Sequence, residues 1–190
     1  VIDDLDRTLK KLLEQEVDVL AEEHQNVHFE VPDDKFQPAL PAVDLFLYDI
    51  RENRELRTNE WSTRREQGMI TKQRPPTRIE CAYLITAWAG DTYSEHLLLG
   101  KVIRALLRHA TIPAGLLQGS LAGQEPPLPT TTLQPGRLQS LGEFWQALGG
   151  KLKAALTYTV TIGVPVHEPV ELGPPVTEKL IRLKQTTGET

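Results

Sequence analysis

Between Val43 and Trp61 the chain reads VDLFLYDIRENRELRTNEW. The first half is a strand apolar on both faces, through Leu45, Phe46, Leu47 and Tyr48, which suits only the middle of a covered sheet. Within two residues the second half turns to mixed charge around Arg51, Arg54 and Arg57. Other elements must cover the first half and leave the second at an edge. The stretch holds no metal-ligand set, no nucleophile and no phosphate loop, so it points to assembly before catalysis.

Periodicity supplies the covering elements. Leu5, Leu9, Leu12, Leu13 and Val17 recur at helical spacing, which predicts a helix over Ile2–Glu16 with Asp3 or Asp4 able to cap its start. A short strand is expected over His28–Val31. Arg78–Trp88 reads as a core strand with Ile79, Cys81, Tyr83, Ile85 and Ala87 on one face. Asp91–Ala110 is a second helix whose buried stripe is Leu99, Val102, Ile103, Leu106 and Ala110. Gly100 inside it costs about 1 kcal/mol relative to Ala, and close approach to the sheet is the expected return. Ser140 and Glu143 form the capping box of a short third helix closed by Gly149-Gly150. Leu156, Tyr158, Val160, Ile162 and Val164 then alternate with Thr157, Thr159, Thr161 and Gly163, the cleanest strand signature present.

Other stretches have little to bury. Glu60–Arg74 reads as two polar strands joined by a turn at Gln67-Gly68. A ribbon wet on both faces is barely stable alone, so it is expected to lie against a neighbour. Gln118–Pro135 is a Gly- and Pro-rich loop containing one edge strand. The expected fold is α+β, a mostly antiparallel mixed sheet packed with two main helices on one side. Residues 1–164 form the domain, and 165–190 an extended arm that becomes ordered on a partner.

At 190 residues with 39% hydrophobic content, one ordinary core is available. The net charge of −5 weighs against nucleic acid as the main partner. The charge is uneven: the first 34 residues hold eleven acids and three bases, whereas Arg51–Arg78 holds eight bases and four acids. Such opposition suits head-to-tail packing of copies, the acidic helix meeting the basic edge. The single Cys81 cannot form an internal disulfide. No apolar run approaches bilayer length, so direct membrane insertion is not expected, and no signal-peptide core opens the chain. Folding in the cytoplasm is expected.

Catalytic and metal readings are weak. His24, His28 and Glu30 could be taken as metal ligands, but they fit an acidic surface with incidental histidines better. Cys81 sits on a buried strand face without a base beside it. Ser120 in GSLAGQ lacks the flanking glycines of a nucleophile elbow, since Gln118 and Ala122 occupy those places. No catalytic residue, metal or cofactor is assigned. The basic edge is interleaved with Glu52, Glu55 and Glu60, and Trp61 is its only stacking platform, a mixture that fits a protein interface. The alternative is a soluble peptide- or nucleic-acid-binding domain using the edge 51–65.

VDLFLYDIRENRELRTNEW, RPPTRIECAYLITAWAGD with EHLLLGKVIRALLRH, LLQGSLAGQ, and the FWQALGG…LTYTVTIGV close stand in one order. Together they resemble the cap family of contractile injection systems, which includes the caps of the antifeeding prophage and the Photorhabdus virulence cassettes, related in role to phage tail terminators. The resemblance spans roughly Leu5 to Val164. It implies a structural role without an active site: a hexameric ring that ends the inner tube and anchors the last sheath layer, distal to the baseplate. The implied partners are further copies of the chain, the tube protein and the sheath protein, within a phage-tail-like particle assembled in the cytoplasm and released or retained. Subunit or tube contacts are expected from Arg51, Arg54, Glu55, Arg57, Asn59, Glu60, Trp61, Arg64 and Arg65. Sheath contacts are expected from Val170, Leu172, Leu180 and Leu183.

Overall fold

A computed structural model describes residues 1–21, 26–66, 69–134, 140–149 and 151–173, with backbone alone at 64–66 and 141. The chain divides into two compact units, Val1–Arg57 with Thr77–Val164, and Thr58–Pro76 with the segment from Pro165 onward.

The first unit is built on a five-stranded sheet of order β1-β2-β5-β7-β6. Its strands are β1 (Val27–His28), β2 (Ala42–Glu52), β5 (Thr77–Trp88), β6 (Thr130–Thr132) and β7 (Ala155–Val164). Only β1–β2 is parallel; the other neighbours are antiparallel. The expected α+β class is therefore observed. Helices α1 (Ile2–Glu16) and α3 (Thr92–Leu107) cover one face, burying Leu5, Leu9, Leu12, Leu98, Val102 and Leu106 against Val43, Leu45, Tyr83, Ile85, Tyr158 and Val160. A short α2 (Asp18–Ala21) follows α1. Phe46 points the other way because side chains alternate along a strand. There its ring and that of Tyr48 meet Phe144 of α4 (Leu141–Ala147), at 6.1 and 6.2 Å between centroids. This is the cover that the doubly apolar Val43–Asp49 run required.

The register of β2 against β5 shifts between Leu47 and Asp49. The bulged Tyr48 flips the alternation, so Ile50, opposite Cys81, returns to the helical face. At 47% exposure it lies past the cover of the helices.

The loop 111–128 is held by α1. Thr8 Oγ1 accepts the Gln118 N–H at 3.0 Å and donates to the Asp4 carbonyl at 2.7 Å. The Asp4 carboxylate accepts the Ser120 N–H at 3.0 Å and its hydroxyl at 2.5 Å, and pairs with Arg7. Gly119 has φ +53°, and a Cβ there would fall 1.8 Å from Asp4 Oδ1. Only glycine fits that turn. Further along, the Gln124 amide makes a reciprocal pair with the Gly163 backbone at 2.6 and 2.8 Å. The LLQGSLAGQ block is thus a strap across the fold. At the far end of α1, Glu16 accepts from Arg108 at 2.8 Å and contacts His109 at 3.1 Å, joining α1 to the end of α3.

Several local expectations need correction. Neither Asp3 nor Asp4 caps α1; Val1 stands there without a side-chain bond, and Asp4 is turned inward by the strap. The strand expected over His28–Val31 is Val27–His28, because only those residues find partners on β2. Helix α3 ends at Leu107, and Ala110 is exposed. Its buried stripe contains Leu98 and Ala105, with Leu99 and Ile103 only partly covered. Gly100 does not approach the sheet: it is exposed, and a Cβ there meets nothing within 4 Å.

The second unit is a three-stranded antiparallel sheet, β3 (Ser62–Glu66), β4 (Met69–Gln73) and β8 (Val170–Gly173), in the order β3-β4-β8. Ser62 opposes Gln73 and Glu66 opposes Met69, as a hairpin requires; the expected turn at Gln67-Gly68 lies outside the described residues. On the other side of β4, Lys72 opposes Val170. The neighbour of the polar ribbon is therefore a strand of its own chain, and a third strand is what such a ribbon needs.

Candidate assembly surface

The charged edge begins on β2 itself, since Arg51 and Glu52 are still paired to Glu80 and Ile79 of β5. Asn53 then turns the chain. Its N–H donates to the Arg78 carbonyl at 2.8 Å, its amide to Glu80 at 2.8 Å, and its Oδ1 accepts from the Leu56 N–H at 3.0 Å. An asparagine bonding the backbone ahead of it fixes a turn without help from packing. Asn53 thus sets the edge from within the chain, and its signal in the sequence is a polar residue just past the strand.

The arginines differ. Arg51 Nε pairs with Asp49 at 2.8 Å and Arg57 Nε with Glu52 at 2.9 Å, both at the surface. Pairs this exposed contribute between nothing and about 1 kcal/mol, but they neutralise most of the edge in place. Arg54 and Glu55 are exposed and have no side-chain partner among the described residues. Leu56 beside them is 47% exposed. The edge therefore presents Ile50 and Leu56 with one unspent charge of each sign.

In the second unit, Asn59 and Glu60 are exposed ahead of β3, and the Glu60 N–H reaches Thr58 Oγ1 at 3.3 Å. Trp61 is exposed with Lys72 Nζ 4.7 Å and Arg74 Cζ 5.0 Å from its ring centroid. Cations over an indole hold it in one orientation. Lys72 and Arg74 thus belong with Trp61, an association set by the hairpin register and invisible in linear spacing. Arg64 and Arg65 lie on β3 opposite Thr71 and Ile70. Val170 and Leu172 are exposed on β8, while Leu180 and Leu183 lie outside the described residues.

Reactive groups are placed for structure. Burial pushes the Cys81 thiol up to about 11, away from the thiolate a nucleophile needs. Ser120 donates to a carboxylate held well below its usual range by that hydroxyl and by the Ser120 N–H, so Asp4 is a poor general base. His28 packs edge-on against Phe36 at 5.5 Å, and His24 lies outside the described residues. No cluster of three potential metal ligands occurs among the described residues. A cleft of about 500 Å³ is lined by Phe36, Trp88, Trp145 and Lys153; the Lys153 ammonium lies 4.2 Å from the Trp88 ring centroid and donates to the Ala87 carbonyl at 2.6 Å. Among the described residues no helix is long and apolar enough to cross a membrane.

Comparison with known proteins bears on this surface. The family profile of the Pvc16 N-terminal domain matches residues 4–178. No curated protein sequence matches the chain. Among solved structures, the sheath/tube terminator of an extracellular contractile injection system, PVC, in its extended state is similar at 26% identity and a TM-score of 0.72. That match covers 100% of this chain and 65% of the terminator. The tube-terminating cap of the anti-feeding prophage is also similar, at 26% identity and a TM-score of 0.60, with 100% and 61% covered. The chain thus spans somewhat under two thirds of each.

Proposed function

Because this chain belongs to the Pvc16 N-terminal domain family, we propose that it is the structural cap of a contractile injection particle. It ends the inner tube and anchors the last sheath layer, as a ring of six copies distal to the baseplate. The observation that carries this reading is the likeness of this chain to 65% of a sheath/tube terminator. The particle is assembled in the cytoplasm and acts in extracellular form. No catalytic step is needed for that role.

The edge at Arg51, Arg54, Glu55 and Arg57 serves as a subunit or tube contact. Asn59, Glu60, Trp61, Arg64 and Arg65 extend that role to the hairpin unit. Val170 and Leu172 supply apolar contact to the sheath, with Leu180 and Leu183 of the same arm. Cis pairing of Arg51 and Arg57 argues against the nucleic-acid alternative, which needs unopposed positive charge.

Deletion of the gene tests the reading. Tubes of irregular length or prematurely contracted sheaths, seen by electron microscopy, are expected. Particles of normal length and stability without the protein would refute it.

A further inference from the structure

The sequence suggested that the acidic first helix meets the basic edge of a neighbouring copy. In the structure the α1 acids are engaged within the chain: Asp4 with Ser120 and Arg7, Asp6 with the Tyr83 hydroxyl, Glu16 with Arg108. The edge needs a different mate.

Helix α3 supplies one. Tyr93, Leu97, Gly100, Arg104 and Leu107 recur at steps of four, three, four and three, so they form one stripe along the helix. That stripe faces outward: Tyr93 is 78%, Leu97 56% and Leu107 57% exposed. Arg104 is exposed without a side-chain partner among the described residues. Glycine at the centre weakens the helix, and nothing within the chain lies near enough to require it. A missing side chain on an exposed apolar stripe leaves room for another surface to come close.

We infer that the outer stripe of α3 is the seat for the Ile50–Leu56 edge of a second copy of this chain. The chemistry is complementary at each point. Ile50 and Leu56 meet the apolar side chains around Gly100. Glu55 meets Arg104, each otherwise without a partner among the described residues. Arg54 meets the face of Tyr93, and Arg with Tyr is a pairing typical of interface hot spots.

Within one chain the two patches stay apart: Ile50 near the end of β2 and Leu56 beyond it are exposed, and Tyr93, Leu97 and Leu107 are exposed along α3. The contact is therefore made with another copy, and two unlike patches make a head-to-tail contact, the kind that closes into a ring. The inference rests on the cap reading and names its subunit seam.

Sedimentation velocity of the purified chain, with tube length in producing cells as a second readout, tests it. Arg104→Glu and Glu55→Arg should each weaken self-association about tenfold, and the double variant should return to near the native value, as directly coupled charges do. Gly100→Trp should abolish association without lowering Tm, since the position is open to solvent. A native chain that stays monomeric, or a double variant no better than its parents, overturns the seam. Normal tube ends in the Arg104→Glu strain overturn it too, while leaving the cap reading to be judged by the deletion.

Discussion

Replacing Asp44 with Asn should stabilise the protein above neutral pH and do progressively less below it. Asp44 lies on β2 within the sheet and is fully buried. Its Oδ1 accepts the Glu30 N–H at 2.9 Å, while Oδ2 has no partner among the described residues. Burial raises its carboxyl from 3.8 to about 7, with the nearby Glu30 charge adding to the effect and the Glu30 N–H opposing it. A carboxyl with a higher pKa folded than unfolded holds its proton better in the native state. The native state is therefore favoured at low pH, and that advantage is lost as pH rises from about 4 through about 7. A gap of about three pH units corresponds to roughly 4 kcal/mol once Asp44 is fully ionised. Roughly 2.5 kcal/mol of it develops between pH 5 and 8. Asparagine keeps the acceptor for Glu30 and never ionises. Urea unfolding followed by tryptophan fluorescence at pH 5, 6, 7 and 8 measures the difference between the two proteins. It should widen with pH by about 2–3 kcal/mol, or several degrees in Tm at this chain length. A difference that stays constant across that range would refute the assignment of a charge-desolvation cost to Asp44.

Gly100→Ala should raise Tm by a few degrees, from about 0.4–1 kcal/mol of helix propensity and lost unfolded-state freedom, while weakening self-association; a lowered Tm would mean that something within the chain needs the glycine. Gly119→Ala should be strongly destabilising, because its Cβ would enter the Asp4 carboxylate and its backbone is left-handed at about 1–2 kcal/mol for a side-chain-bearing residue; thermal unfolding at native-like Tm would refute the strap. Gln124→Ala removes both bonds to Gly163 and should cost about 1–3 kcal/mol by urea unfolding.

Patterns of one residue against its near neighbours carried much of the fold. The 3.6-residue repeat from Leu5 to Val17 specifies α1 to the residue, and the period-2 run from Leu156 specifies β7, because each reflects which side of an element meets water. The S-x-x-E box is likewise local, with Ser140 Oγ accepting the Glu143 N–H at 3.2 Å. The doubly apolar Val43–Asp49 run required cover on both faces and received it. The roles of Asp4, Gly119 and Ser120 were not legible, since more than a hundred residues separate the two sides of that bond and no periodicity links them. The fate of Gly100 also depended on which stripe of α3 the sheet took, since the apolar residues from Leu97 to Leu99 fit more than one phase and the sheet buries Leu98 more deeply than Leu99.

The charged edge divides in the same way. Composition alone placed arginine, acid and apolar residues at the end of a strand, because a strand that runs out of apolar residues must leave the core. Which charges remain available was decided in three dimensions. The bulge at Tyr48 put Ile50 on the helical face beyond the reach of the helices, and short-range pairing neutralised Arg51 and Arg57. Arg54 and Glu55 stayed unspent because Coulomb attraction and burial depend on distance through space, which spacing along a chain does not encode.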